Sequence, residues 1–354
     1  MMYQDLHSHT NLSDGMTTYR QSLDACAQNN ISVVAFTDHD LIPEKEELAV
    51  LDKLRDHPTK WIIGVEISAD PPKELSGKTV PNLHIVGLFI DPANKDLIEY
   101  GHEVVDDCNR RMKKMVKAMA GYGFSISFDD CQEEAIGKTM QRPHLVAALL
   151  KRKENLERMQ FFIDDLKNAA KTDSKKLKLY QEIVKVMTAE PGSPYRQPFY
   201  QLFLSVDAPY RQAHYEREVN LDFDDSVKLI REAGGIAILA HWSESKVGFP
   251  LKMVEKVFKE GRIDGAEIIY DLYRINLGEK EELREEQESI KKLVKEYRLL
   301  ASGGSDAHSE EGFQRFVAEK WMAEQTVGMA EKMMEKFDDL CLDWSTVKSG
   351  GVTT

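Results

Sequence analysis

Short apolar runs in this chain close, one after another, on residues that can hold a cation, and this pattern restricts the fold more than any other feature. Tyr3–Leu6 runs into Asp5-Leu6-His7-Ser8-His9, and Ile31–Thr37 into Asp38-His39. Trp61–Ile67 contains Glu66, Leu83–Ile90 carries His84, and Ile236–Ala240 delivers His241. Leu299–Ser302 leads to Gly304-Ser305-Asp306-Ala307-His308. Residues two apart in a strand face the same way, so His7 and His9 can grip one ion from a single face. Imidazoles mixed with carboxylates suit zinc, manganese or iron and argue against calcium or magnesium alone. The reading is a multinuclear metal site at the mouth of a barrel.

Helical patterns separate these runs. Leu23, Cys26 and Ala27 mark Thr18–Asn29 as a helix, Glu44–Arg55 is helical, and a long helix spans Lys95–Tyr122, ended by Gly121 and Gly123. Alternation of this kind implies parallel strands joined by helical crossovers. From Lys151 to Glu190 the pattern becomes almost wholly helical, with ten Lys or Arg against seven Asp or Glu. Pro191-Gly192-Ser193-Pro194, Pro198 and Pro209 then keep the chain irregular. The expected organisation is a discontinuous barrel over 1–150 and 216–325, a helical insertion or cap over 151–215, and a helical tail over 326–354. A solvated helical pair is the first reading of the insertion.

A chain of 354 residues can bury a large core. Its net charge of −13 excludes an overall basic surface for nonspecific nucleic-acid binding, and stable duplex binding is not expected. Cys26, Cys108, Cys131 and Cys341 lack metal-site or disulfide-framework spacing and read as buried thiols. No apolar run approaches the roughly 20 residues that cross a bilayer, and no signal-peptide core follows the start. The expectation is a cytoplasmic enzyme without a membrane partner.

Seven segments, in order, resemble the PHP (polymerase and histidinol phosphatase) superfamily of metal-dependent phosphoesterases. They are DLHSHTNLSDG (5–15), VAFTDHD (34–40), GVEIS (64–68), LHIVGLFID (83–91), QRPHLVAALL (141–150), GGIAILAH (234–241) and GGSDAH (303–308). Within the superfamily the chain is most similar to bacterial enzymes acting on nucleoside 3′,5′-bisphosphates and on the 5′ ends of short RNA. The resemblance implies a distorted (β/α)7 barrel of the α/β class, with three metal ions at the C-terminal ends of its strands. Carried over position by position, His7, His9, Glu66 and Asp306 would hold the first ion. Glu66 would bridge to a second with His84 and His241, and Asp14, His39 and His308 would hold the third. The native metal is left open among manganese, iron and zinc.

The implied chemistry is hydrolysis of a phosphomonoester on a small nucleotide or short RNA end, by attack of a metal-bridging hydroxide. Asp38 would orient His39 from behind. Arg142 and His144 resemble the family's Arg-Pro-His element, whose guanidinium would clamp phosphate. A general acid, if one is needed, would be His144 or a metal-bound water. Competing structural readings stand beside these. A turn at Ser13-Asp14-Gly15 would explain Asp14, a core histidine His84, a surface ion pair Arg142, and a helix-face histidine His144. Tyr270 and Tyr273 would either stack on a base or pack. Three departures bear on substrate: Trp242 follows His241 where the family commonly has Pro, Tyr270-Asp271 stands where it often has His, and the insertion is long. Histidinol phosphate is the alternative substrate, and a non-catalytic metal-binding module acting as a regulatory partner is the alternative from another class.

Overall fold

A computed structural model describes residues 2–75, 82–135, 137–189, 193–271 and 280–336. Tyr273, Cys341 and the tail beyond Lys336 lie outside them. Seven strands form one sheet in sequential order: β1 (Tyr3–Ser8), β2 (Ile31–Phe36), β3 (Lys60–Ala69), β4 (Leu83–Leu88), β5 (Ile236–Leu239), β6 (Gly265–Tyr270) and β7 (Leu300–Gly304). The sheet is nearly closed into a barrel. Its two ends meet where His9 N donates to Ala307 O at 2.9 Å and Asp306 N to His7 O at 3.0 Å. The strands read as continuous apolar runs because both faces are covered: Val33–Phe36 and Ile236–Leu239 are buried throughout.

One expectation needs correcting. The strands are not all parallel, because β4 runs antiparallel to both β3 and β5. The register pairs Gly64 with Leu88 and Ala69 with Leu83, so β4 returns alongside β3 in the opposite sense. This reversal matters for the site. It puts the beginning of β4, with His84 paired opposite Ser68, at the end of the barrel where the other strands finish.

Helices pack outside the sheet and are stopped and started by ordinary capping. Thr18 closes a capping box with Gln21 ahead of helix Tyr19–Gln28, and Asp222 accepts from Asp225 N at 2.9 Å ahead of helix Phe223–Glu232. Beyond β7, Thr326 Oγ1 accepts from Gln4 N at 3.0 Å, and Gln4 Oε1 accepts from Ala330 N at 2.8 Å. The tail helix Met329–Lys336 is thereby tied to β1.

The chain divides into two units, Met1–Val104 with the chain from Asn220 onward, and Val105–Val219. The second starts inside the long helix Lys95–Gly121, not at Lys151 where the charge pattern changes. Packing explains the earlier start. Met112, Met115, Met119 and Phe124 belong to the same apolar cluster as Met159, Phe162, Phe199 and Phe203. Charge marks only the exposed faces of Lys153–Ala169 and Ser174–Ala189, whereas the core reaches back into the preceding helix. No helix among the described residues is long and apolar enough to cross a membrane.

Candidate metal centre

His7 and His9 stand at the end of β1, both buried, and their ring nitrogens Nε2 lie 3.2 Å apart. Around them the first unit gathers Asp14, His39, Glu66, His84, His241, Asp306 and His308. Three overlapping groups offer ligand atoms close enough for one ion each: His7, His9, Glu66 and Asp306; His9, Asp14, His39 and His308; and His39, Glu66 and His84. His241 Nε2 lies 2.9 Å from Glu66 Oε1 and 3.2 Å from His84 Nδ1, which attaches it to the third group.

Glu66 is the hub. Its Oε1 faces His7 at 3.3 Å, His84 at 2.8 Å and His241 at 2.9 Å, while Oε2 faces His9 at 3.2 Å and His39 at 3.0 Å. Yet Oε2 is buried and makes no hydrogen bond, and the same holds for Asp306 Oδ1, 3.0 Å from His9 Nε2. Buried oxygens this close to nitrogens without hydrogen-bond geometry are lone pairs converging on a shared point, the donor set a transition metal takes. The residues fit divalent cations.

Local backbone explains the aim of these side chains. Asp306 has φ +52°, in the left-handed region that Asp tolerates better than most residues, and this turns its carboxylate from the end of β7 toward His7 and His9. Gly304 permits the closure of the barrel. A Cβ there would lie 2.5 Å from His7 N and 2.6 Å from His7 Cβ. Gly304→Ala should therefore push His7 off its position, lowering stability by about 1–3 kcal/mol and lowering metal content. Melting and metal analysis check both, and a variant with wild-type midpoint and metal content would contradict the close approach.

Asp38 is buried, and its carboxylate goes to the loop after β1. It accepts from Thr10 N and Thr10 Oγ1 at 2.8 Å, from Ser13 Oγ at 2.7 Å and from Ser13 N at 3.2 Å. These bonds fasten the turn that carries Asp14, and none of them is to the neighbouring His39. Burial pushes the Asp38 carboxyl up, against His9 and the hydrogen bonds from Ser13 and Thr10.

Glu267 is the residue that sequence reading passes over. One oxygen lies 2.8 Å from His7 Nδ1, and the other accepts from His241 N at 2.8 Å. A carboxylate on Nδ1 leaves Nε2 of His7 free to face the other ligands. A signal existed, a single Glu inside the otherwise apolar run Gly265–Tyr270, every residue of which is buried. Asp5 supports the same corner by accepting from Ser305 N at 2.9 Å, and burial raises its carboxyl to about 6.

The groups also set one another's protonation. Burial disfavours charge on His9, but Asp306 and Glu66 overrule it and raise the ring to about 10. Burial likewise opposes charge on His241, and Glu66 raises it to about 9. His39 is pushed down to about 4, by burial first, with Glu66 and Asp14 only partly offsetting it. Glu66, though fully buried, is held well below the usual carboxylate range by His84, His7 and His39.

Arg142 and His144 lie in the other unit, on helix Arg142–Leu150. Arg142 Nη2 donates to Tyr215 O at 3.1 Å, and His144 Nδ1 accepts from Gln141 N at 2.9 Å, closing a capping box. Tyr270 packs, fully buried, with its hydroxyl 2.6 Å from Ser243 Oγ.

Comparison with known proteins agrees with this geometry. The family model described as PHP domain matches residues 5–188. A phosphoribosyl 1,2-cyclic phosphate 1,2-diphosphodiesterase of Eggerthella lenta is 25% identical, covering 88% of this chain and 96% of its own. A 3′,5′-nucleoside bisphosphate phosphatase of Chromobacterium violaceum is 30% identical, over 40% of this chain and 48% of its own. The crystal structure of a metal-dependent phosphoesterase from Bifidobacterium adolescentis superposes with TM-score 0.57 at 20% identity, covering 87% and 88% of the two chains, and shares the fold. Family and relatives together make this protein a metal-dependent phosphoesterase, a hydrolase. The chain belongs to the PHP domain family.

Proposed function

We propose that this protein hydrolyses a small phosphorylated nucleotide, a nucleoside 3′,5′-bisphosphate or a short 5′-phosphorylated RNA, with three divalent ions of manganese, iron or zinc. The observation that carries the reading is Glu66, whose two oxygens address two different sets of histidines. In this reading His7, His9, Glu66 and Asp306 hold one ion; Glu66, His84 and His241 a second; Asp14, His39 and His308 a third. Bound ions would supply charge neutralisation of the phosphate and an activated water. The chain's own residues set the stage for that chemistry. Glu267 holds His7 with Nε2 inward, Asp38 fastens the loop that presents Asp14, and Arg142 contributes a phosphate-holding guanidinium.

A second reading has an observation of its own. The Eggerthella relative matches nearly from end to end, and its name specifies a cyclic phosphate of a sugar. The deciding experiment is phosphate release, or ring opening, by manganese-loaded protein with Asp306→Asn alongside. The panel holds a nucleoside 3′,5′-bisphosphate, a 5′-mononucleotide, histidinol phosphate, a short 5′-phosphorylated RNA and a ribose 1,2-cyclic phosphate. We expect the bisphosphate or the RNA to be turned over fastest and Asp306→Asn to abolish it. A clear preference for the cyclic ester or for histidinol phosphate would replace the proposed substrate. No turnover by fully metallated protein would favour a non-catalytic role.

A further inference from the structure

Two departures from the family pattern, Trp242 after His241 and Tyr270-Asp271 at the end of β6, meet at one turn. β5 ends at Leu239, and the chain passes through Ala240 and His241 into the tight turn Trp242–Glu244. His241 N donates to Glu267 Oε2 at 2.8 Å, which holds the backbone on the side of β5. The other side depends on the turn. Ser243 N donates to the Tyr270 hydroxyl at 3.2 Å, and Ser243 Oγ lies 2.6 Å from the same oxygen. Trp242 Nε1 donates to Phe249 O at 2.7 Å. The turn also carries Glu244, whose Oε2 stands 3.7 Å from His241 Nδ1, while Nε2 of the same ring faces Glu66 Oε1 at 2.9 Å.

Glu267 and Tyr270 reach this loop from the same strand, which a regular strand would not allow, since residues three apart point to opposite faces. In β6 the register against β7 steps from Glu267–Ser302 to Ile269–Gly303, leaving Ile268 as an extra residue. Such a step turns the following side chains to the other face, so Tyr270 joins Glu267 on the side of His241. Gly303 permits it, because a Cβ there would lie 2.7 Å from Ile269 O. Tyr270 is fully buried, its carbonyl accepts from buried Gln287 Nε2 at 2.7 Å, and its ring stands 6.5 Å from that of His241, nearly perpendicular to it. With backbone and ring held, the hydroxyl has a fixed position from which to anchor the turn.

We propose that Tyr270 is a positioning residue for the metal centre: its hydroxyl pins the Trp242–Glu244 turn through Ser243 and thereby holds His241 aimed at Glu66. This role rests on the proposed ligand set, in which His241 shares an ion with Glu66 and His84. The test is calorimetric titration of manganese into chelator-treated full-length wild type, Tyr270→Phe and His241→Ala. Tyr270→Phe is expected to keep every binding equivalent of wild type with one of them weakened about tenfold or more, and His241→Ala to lose that equivalent. Excess manganese should return the turnover of Tyr270→Phe to near the wild-type rate. A Tyr270→Phe titration identical to wild type, beside a lost equivalent in His241→Ala, overturns the role of the hydroxyl. Equal weakening of all ions together with a lower melting midpoint assigns Tyr270 to packing alone and overturns it as well. Wild-type binding by His241→Ala instead strikes the ligand set, and the positioning role with it. Should Tyr270→Phe fail to fold, Ser243→Ala decides, because it removes one of the hydroxyl's two bonds to the turn. Weakening of the same equivalent there supports the role, and unchanged binding overturns it.

Discussion

Glu66→Gln is expected to cut metal-dependent phosphoester hydrolysis by a factor on the order of 10³ or more and to lower bound metal in the same preparation. The substitution keeps shape and volume, so the loss is chemical. Glu66 Oε1 serves His7, His84 and His241, while Oε2 serves His9 and His39. An amide retains one oxygen acceptor and replaces the other with N–H donors that cannot ligate a cation. It also removes the negative charge that favours positive neighbours on both sides. Metal analysis and turnover on the best substrate of the panel check the prediction together. A variant with full metal content and near wild-type rate would show that the carboxylate does not bridge, and the division of ligands among ions would have to be redrawn. A variant that loses metal and keeps its melting behaviour would separate the site from the fold.

The sequence made the strand ends legible because ligands at a barrel mouth must follow apolar runs. Those runs are unmistakable where both faces of a strand are buried, as in Ile31–Phe36 and Ile236–Leu239. Direction was a different matter. An apolar run reads the same in either sense, so nothing in Leu83–Leu88 announced that β4 is reversed, although that reversal is what brings His84 beside Glu66 and His241. Asp38 is a separate case. Adjacency to His39 suggested a partner, but both residues lie beyond the end of β2 at Phe36, and the carboxylate turns to Thr10 and Ser13. Glu267 was hidden because its role is made by contacts to His7 and His241, both distant in sequence. The start of the second unit escaped because charge reports the solvent face of a helix, whereas Met112, Met115 and Met119 report the face that packs.

The stabilisation that added metal gives should grow as pH rises from 6 to 9, while the chelated protein weakens. In the chelated protein the ring of His9 is raised from an ordinary 6.5 to about 10, and that of His241 to about 9. A group whose pKa is raised on folding contributes fully below its unfolded value, and the contribution disappears as pH climbs through the folded value. These two histidines therefore stabilise the chelated fold at pH 6 and cease to do so between pH 6.5 and 10. Acid works the other way. His39 is lowered to about 4, so its neutral form favours folding above pH 6.5 and that contribution is lost toward pH 4. Asp14 and Asp306 are held low despite their burial, Asp14 by His39 and His308 and Asp306 by His7 and His308, and they likewise lose their contribution on acidification. The chelated protein should thus be most stable near pH 6 and weaken toward pH 9, by about a few kcal/mol in all. Metal binding requires deprotonated imidazoles, so the gain from added manganese should grow over the same interval. Melting midpoints with and without metal at pH 6, 7.5 and 9 would show the two curves diverging. Parallel curves would mean that these histidines are neutral in the chelated fold already. The pairing of Glu66 and Asp306 with charged imidazoles would then not be what holds the mouth of the barrel together before a cation arrives.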